Sequence, residues 1–230
     1  LYIEYETKNL YRKQIKAKEL WERIINTQIE TGLPYILYKD AVNRKSNQKN
    51  YGIIKSSNLC TEIMEYSDSN ETAVCNLASI CLPKYITKPT DIYPHGDVDY
   101  DLLYEKTKEI VINLNCIINV NSYPTIESKL SNMRHRPIGI GVQGLADLFM
   151  ILKLSYDSDE ARSINRKVFE CIYYASLEQS MEISKVFGPY ESFEGSPASQ
   201  GILQFDMWDN FEYPFLYSKE SWDHLKEQIK

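Results

Sequence analysis

From about Ser158 to Phe187 the sequence keeps a helical pattern with no proline or glycine, and this run sets the scale of the fold. Asp157 and Glu160 have the spacing of a capping box before it, and Gly188-Pro189 is a strong stop after it. Shorter elements alternate around that helix. Lys13 to Thr31 reads as a helix with Leu20, Trp21, Ile24, Ile25 and Ile29 on its apolar face, closed by Gly32 before Pro34. Asp40 to Tyr51 is polar and reads as a loop. Ile53 to Ile63 and Ala73 to Leu82 read as extended segments, separated by the polar turn Ser67-Asp68-Ser69-Asn70.

A connection from Lys84 to Gly96 leads to a helix from about Tyr100 to Asn119, in which Leu103, Ile110, Leu114 and Ile117 recur at helical spacing. Ile138 to Val142 reads as a strand and Gly144 to Leu152 as a short helix. Tyr190 to Ser218 is aromatic and irregular, and Ser221 to Lys230 has the look of a helix. Alternating strands and helices predict an α/β layer or barrel, with no repeat and no internal domain boundary. The absence of an initial Met and the stop inside a helical pattern suggest an internal segment of a longer protein.

The charge balance narrows the function. A net charge of -6 gives no broad basic surface for nucleic acid. The most apolar stretch, Ile110 to Val120, is broken by Asn113, Asn115 and Asn119, which argues against a membrane span. No basic region and apolar core open the chain, so no signal peptide is expected. Asn70-Glu71-Thr72 fits a glycosylation sequon, a triplet that arises easily by chance. The five cysteines lack short-spaced pairing and are expected as thiols in a reducing compartment, the cytoplasm.

The most suggestive chemistry lies at Asn58, Cys60 and Glu62. On an extended strand these three share a face, with neighbours about 6.6 Å apart. A thiol, a carboxylate and an amide would then meet one small polar ligand. The bland alternative is a buried structural cysteine on a strand with a solvated edge charge. No His, Lys or Arg adjoins Cys60 in sequence to make it a thiolate. Hydrogen-atom chemistry instead needs a neutral S–H, which a dry setting preserves.

The string Lys55-Ser56-Ser57-Asn58-Leu59-Cys60-Thr61-Glu62-Ile63 resembles the active-site finger of eukaryotic-type class I ribonucleotide reductase large subunits. Ala73-Val74-Cys75-Asn76-Leu77-Ala78-Ser79-Ile80 is similar to the same family. So are Glu30 to Tyr35, Leu37 to Asp40, Asn43 to Gln48, Leu130 to Asn132, Arg134 to Asp147, Gly188 to Glu191 and Glu194 to Pro197. The resemblance runs in order along nearly the whole chain.

That resemblance implies a segment, residues 1–230, of the family's ten-stranded α/β barrel, with the Cys60 strand or loop reaching into its centre. Cys60 would be the transient thiyl radical that takes hydrogen from the ribose 3′ carbon. Glu62 would be the base for the 3′ hydroxyl, and Asn58 would hydrogen-bond the substrate. Cys75 would be one half of a redox-active disulfide whose partner lies upstream of this chain. Cys81, Cys116 and Cys171 are expected as core packing; at Cys81 the family is expected to carry a plain apolar residue.

The implied activity is ribonucleoside-diphosphate reduction for deoxyribonucleotide and DNA synthesis. It implies a small subunit whose metal centre supplies the radical, a thioredoxin or glutaredoxin as reductant, a large-subunit homodimer, and allosteric nucleotide effectors bound outside the segment. No cofactor or metal is expected within it. The nucleotide-binding N-terminal region, a Ser/Thr-rich substrate-phosphate loop and a C-terminal dithiol tail are not recognisable here, so the segment alone is not expected to turn over.

Two rivals have sequence support. Gly139-Ile140-Gly141-Val142-Gln143-Gly144 satisfies the G-x-G-x-x-G pattern of a dinucleotide-dependent dehydrogenase, but a polar stretch precedes it and a long helix occupies the place of the second strand. The glycines then serve close strand–helix packing. The other rival is a non-catalytic homologue acting as an assembly module. A zinc site from Cys60, Cys75, Cys81 and His95 lacks paired spacing. Arg134-His135-Arg136 is expected as a structural or solvated cluster, with phosphate binding as its functional alternative.

Overall fold

The computed structural model describes residues 1–209 and 216–230. The helices are α1 (Tyr2–Thr7), α2 (Ala17–Thr31), α3 (Lys39–Lys45), α4 (Tyr100–Val120), α5 (Ile126–His135), α6 (Leu145–Ile151), α7 (Asp159–Phe187) and α8 (Lys219–Ile229). The strands are β1 (Asn76–Cys81) and β2 (Ile138–Gln143). The irregular region expected from Tyr190 to Ser218 contains two 3-10 turns, Ala198–Gln200 and Gln204–Met207, and its residues 210–215 lie outside the described ones.

Residues 1–38 and 39–230 form two compact units. In the first, α2 begins at Ala17 and not at Lys13, because Lys16 is extended at φ -72°, ψ 131°. Gly32 ends it in the left-handed region at φ 76°, as its place in sequence predicts. No residue of α2 is buried, and Trp21 and Ile29 are exposed.

In the second unit β1 and β2 pair in parallel, Asn76 opposite Ile138 through Cys81 opposite Gln143. Parallel neighbours need a crossover, and α4 with α5 supplies it. The α4 core stripe is Leu103, Thr107, Val111, Leu114 and Ile118, one turn apart each time. Ile117, expected inside, is exposed. Thr107 is admitted because its hydroxyl donates to the Leu103 carbonyl at 2.7 Å.

This stripe helps pack α4 on α7. One apolar cluster joins Ile80 and Leu82 with Leu103, Leu148, Val168, Cys171 and Ile172. A second, around Met181, Leu203, Phe205, Trp222 and Leu225, joins the far part of α7 to α8. The α7 cap is the Ser158 hydroxyl, which accepts from the Ala161 N–H at 3.1 Å; the expected Asp157 lies one residue outside.

Cys171 is buried as expected, but Cys81 and Cys116 are exposed, correcting their assignment to the core. Cys81 faces outward on the edge of β1, and Cys116 lies off the buried stripe of α4. The polar segment after Asp40 also differs from expectation, since its first part is α3.

Candidate active site

The segment carrying Asn58, Cys60 and Glu62 is anchored before it turns. The Asn43 side chain on α3 accepts from the Ile54 N–H at 2.8 Å and donates to the Ile54 carbonyl at 2.9 Å. It thereby imitates a neighbouring strand, and Ile54 is buried beside it. The returning limb is held by Gln48, whose Oε1 accepts from the Tyr66 N–H at 2.8 Å. Gly52 lets this happen: a Cβ there would stand 2.1 Å from the Tyr66 ring.

Between these anchors the chain reverses, which corrects the expectation of an extended strand from Ile53 to Ile63. The Thr61 N–H donates to the Asn58 carbonyl at 3.2 Å, and Thr61 sits at φ 69°. A β-branched residue in the left-handed region breaks strand alternation. Ser57 Oγ donates to the Ile63 carbonyl at 2.7 Å, and Asn58 Oδ1 accepts from the Ile63 N–H at 3.1 Å. The Asn58 oxygen is therefore engaged in closing the loop, leaving its NH2 end to donate outward. Leu59, Cys60 and Glu62 are exposed, so the dry setting suggested for Cys60 is not what surrounds it here. No hydrogen bond among the described residues joins Cys60 to Asn58, Glu62 or Cys75.

The chain then returns to Cys75. Asp68 Oδ1 accepts from the Asn70 and Glu71 N–H groups at 2.7 and 3.0 Å, forming the polar turn read from sequence. Cys75 is half-buried immediately before β1, and a Cβ built on Gly139 of β2 would stand 3.2 Å from its sulfur. Burial pushes the Cys75 thiol up to about 12, helped by the charge and hydrogen bond of Glu65 and by the charge of Glu62. Burial likewise raises Glu65, while the thiol hydrogen bond pulls it back.

The charges of Glu65 and Glu62 thus act on Cys75, and Glu65 is a residue that sequence reasoning did not single out. Asn58 and Cys60 lie on the turn of the same loop.

The supporting frame is a buried ionic cluster. Glu71, only 1% exposed, binds Arg134 Nη1 at 2.9 Å and His135 Nε2 at 3.1 Å. His135 Nδ1 pairs with Ser192 Oγ at 2.7 Å, and Arg134 also reaches Tyr51 and Glu191. Arg136 binds Asn115 and Asn119 of α4. These three residues are structural ties, as their position before β2 suggested.

The glycine pattern resolves the same way. Gly139 and Gly141 lie inside β2, paired with Leu77 and Ser79, so they form no phosphate-cradling turn after a strand. Gly144, at φ 76°, caps α6 against Pro83. Among the described residues no group of three His, Cys, Asp or Glu is arranged to hold a metal, and no helix is long and apolar enough to cross a membrane.

A parallel strand pair joined by a helical crossover, with a cysteine-bearing loop leading into its first strand, is what an open segment of an α/β barrel presents. Residues 1–230 match the family described as ribonucleotide reductase, barrel domain, and the chain belongs to that family. It is similar to proteins named ribonucleoside-diphosphate reductase large subunit from Caenorhabditis elegans (59% identical, covering 90% of this chain and 26% of the relative) and Plasmodium falciparum (54%, covering 100% and 28%). The large chain of Schizosaccharomyces pombe is 52% identical over 100% of this chain and 27% of its own length. The chain therefore spans about a quarter of the length of these relatives.

Proposed function

We propose that this chain carries the thiol centre of a ribonucleoside-diphosphate reductase large subunit, as one stretch, residues 1–230, of its catalytic barrel domain. What supports the proposal is a loop that presents Asn58, Cys60 and Glu62 ahead of the half-buried Cys75, in a chain of the ribonucleotide reductase barrel-domain family. Relatives at 52–59% identity are named for that activity.

In this reading a metal-containing small subunit supplies the radical to Cys60. The Cys60 thiyl takes the hydrogen atom from the substrate's 3′ carbon, so a C–H bond breaks and an S–H bond forms. Glu62 accepts the 3′ hydroxyl proton, and the 2′ hydroxyl leaves as water. Asn58 donates from its amide NH2 to the substrate. Cys75 and a second thiol outside this chain then form a disulfide. Overall C2′–OH and two S–H groups become C2′–H, S–S and water: carbon gains two electrons and the sulfurs lose them. Cys60 finally returns its hydrogen to the 3′ carbon.

A thioredoxin or glutaredoxin would restore the dithiol. The working enzyme would be a cytoplasmic large-subunit homodimer regulated by nucleotides bound elsewhere, serving deoxyribonucleotide synthesis. Replacing Cys60 by Ser or Ala in the intact protein, assayed with a small subunit and a dithiol, should abolish turnover and leave the circular dichroism spectrum unchanged. Unimpaired turnover would sink the assignment in favour of a non-catalytic homologue.

A further inference from the structure

α5 turns its polar side inward. Its apolar residues Ile126, Leu130 and Met133 are exposed, while Ser128, Ser131, Asn132 and His135 are buried. Buried polar groups often stabilise a fold no better than apolar packing of the same volume, and their best-attested use is to fix one register. What this face meets is the limb that carries Cys75. At one end the Glu71 carboxylate takes Arg134 Nη1 at 2.9 Å and His135 Nε2 at 3.1 Å. The Thr72 N–H donates to the Glu127 carbonyl at 3.2 Å. At the other end the Asn76 side chain donates to Asn132 Oδ1 at 3.1 Å, and to the Pro137 carbonyl just beyond the helix at 3.3 Å. Cys75 lies between these holds, its sulfur 3.2 Å from where a Cβ on Gly139 would stand. Asn132 is fully buried and is also held from behind. Its Nδ2 donates to the Tyr123 hydroxyl, which donates to the Ile118 carbonyl of α4 at 2.7 Å. An amide is suited to this place because it accepts on one side and donates on the other.

We infer that Asn132 is a positioning residue for Cys75, holding residues 71–76 against α5 together with Arg134 and His135, so that the thiol keeps one place over Gly139. The inference rests on the reading of Cys75 as one half of a reducing dithiol. A disulfide forms only in a narrow geometry, with its two Cβ atoms about 3.5–4.5 Å apart. A limb that carries one of the two sulfurs therefore gains from being fixed, even by polar groups that add little to stability. Asn132 touches no reacting atom. It acts through Asn76, and Asn76 acts through the backbone it shares with Cys75.

The test is iodoacetamide alkylation of the intact, reduced protein, read by mass spectrometry at Cys75 and, as an internal control, at Cys171. Cys75 is half-buried, whereas Cys171 is buried in the apolar cluster that includes Ile80 of β1. Asn132→Ala leaves Asn76 its bond to Pro137 and Tyr123 its bond to Ile118, so the variant is expected to fold. It should speed alkylation of Cys75 about tenfold and leave Cys171 unchanged. With a small subunit and a dithiol present, kcat should fall about tenfold while KM stays within about twofold, the split expected when a reacting group is displaced and binding is not. An unchanged Cys75 rate would overturn the inference, and so would equal increases at Cys75 and Cys171, which mean general loosening. Asn76→Ala breaks the same link from the other side. The double variant should alkylate at Cys75 no faster than Asn76→Ala does, and additive effects would overturn the link. Should Asn132→Ala not fold, Tyr123→Phe decides. It removes only the hydroxyl behind Asn132 and should raise the Cys75 rate about threefold, and an unchanged rate overturns the inference. Turnover of Cys75→Ser separates the two layers. Its loss supports the reducing role; retained turnover overturns that role while the alkylation result still reports on the positioning.

Discussion

Gly139 has no side chain, and the space it leaves is occupied from the facing strand. A methyl group there would meet Leu77 Cδ2 at 2.6 Å and the Cys75 sulfur at 3.2 Å. Leu77 is exposed and can swing away, so the strain falls on the thiol. Gly139→Ala in the intact protein should cost about 1–3 kcal/mol of stability, the usual cost of overpacking, as read by urea unfolding. Turnover should fall by about tenfold or more, because small displacements of a reacting group are expensive. Native turnover in that variant would show that the position of Cys75 is not critical. At this scale the sequence was informative about identity and poor about geometry. The string from Ser57 to Glu62 named the residues of interest. Its alternation then suggested a shared strand face, which Thr61 at φ 69° breaks.

Elements were legible where apolar periodicity drives them and hidden where polar groups do. α7, α6 and β2 stand close to their expected places. α5 went unread because it buries Ser128, Ser131, Asn132 and His135, leaving no apolar stripe to count. Its start is nevertheless well marked, since Thr125 and Ser128 form a reciprocal capping box. The pairing of α4 with α7 has a polar clasp as well as a core. Tyr104 donates to Glu178, and Lys108 binds the same carboxylate at 3.0 Å. Burial acts to raise Glu178, but the Tyr104 and Lys108 bonds outweigh it, and the carboxyl lies below its ordinary value. A lowered folded value means stabilisation that is present above the unfolded value, about 4.3, and lost as pH falls through the folded one. Glu178→Gln should therefore destabilise by about 1 kcal/mol at neutral pH. Urea titrations should show that difference shrinking below about pH 4, and a difference independent of pH would contradict the clasp.

On the scale of the whole molecule, the barrel came from resemblance and the family match, while the physics of the sequence reached only mixed helix and strand. The described residues show why. β1 and β2 pair only with each other among the described residues, so each leaves an edge open there. Large apolar side chains, Leu59, Leu77 and Ile92 among them, are exposed as well. Expressed as a separate polypeptide, residues 1–230 should self-associate in sedimentation at micromolar concentration and should not reduce ribonucleoside diphosphates. A monodisperse, well-folded monomer would contradict the first expectation, and turnover the second.

α7 is 29 residues long, or about 44 Å. Val168, Cys171 and Ile172 near its middle belong to one apolar cluster, and Met181 further along belongs to the other. Tyr217 packs against both. The helix therefore acts as an axle common to two hubs. The strand pair that follows Cys75 and the side chains around Trp222 therefore rest on one and the same helix.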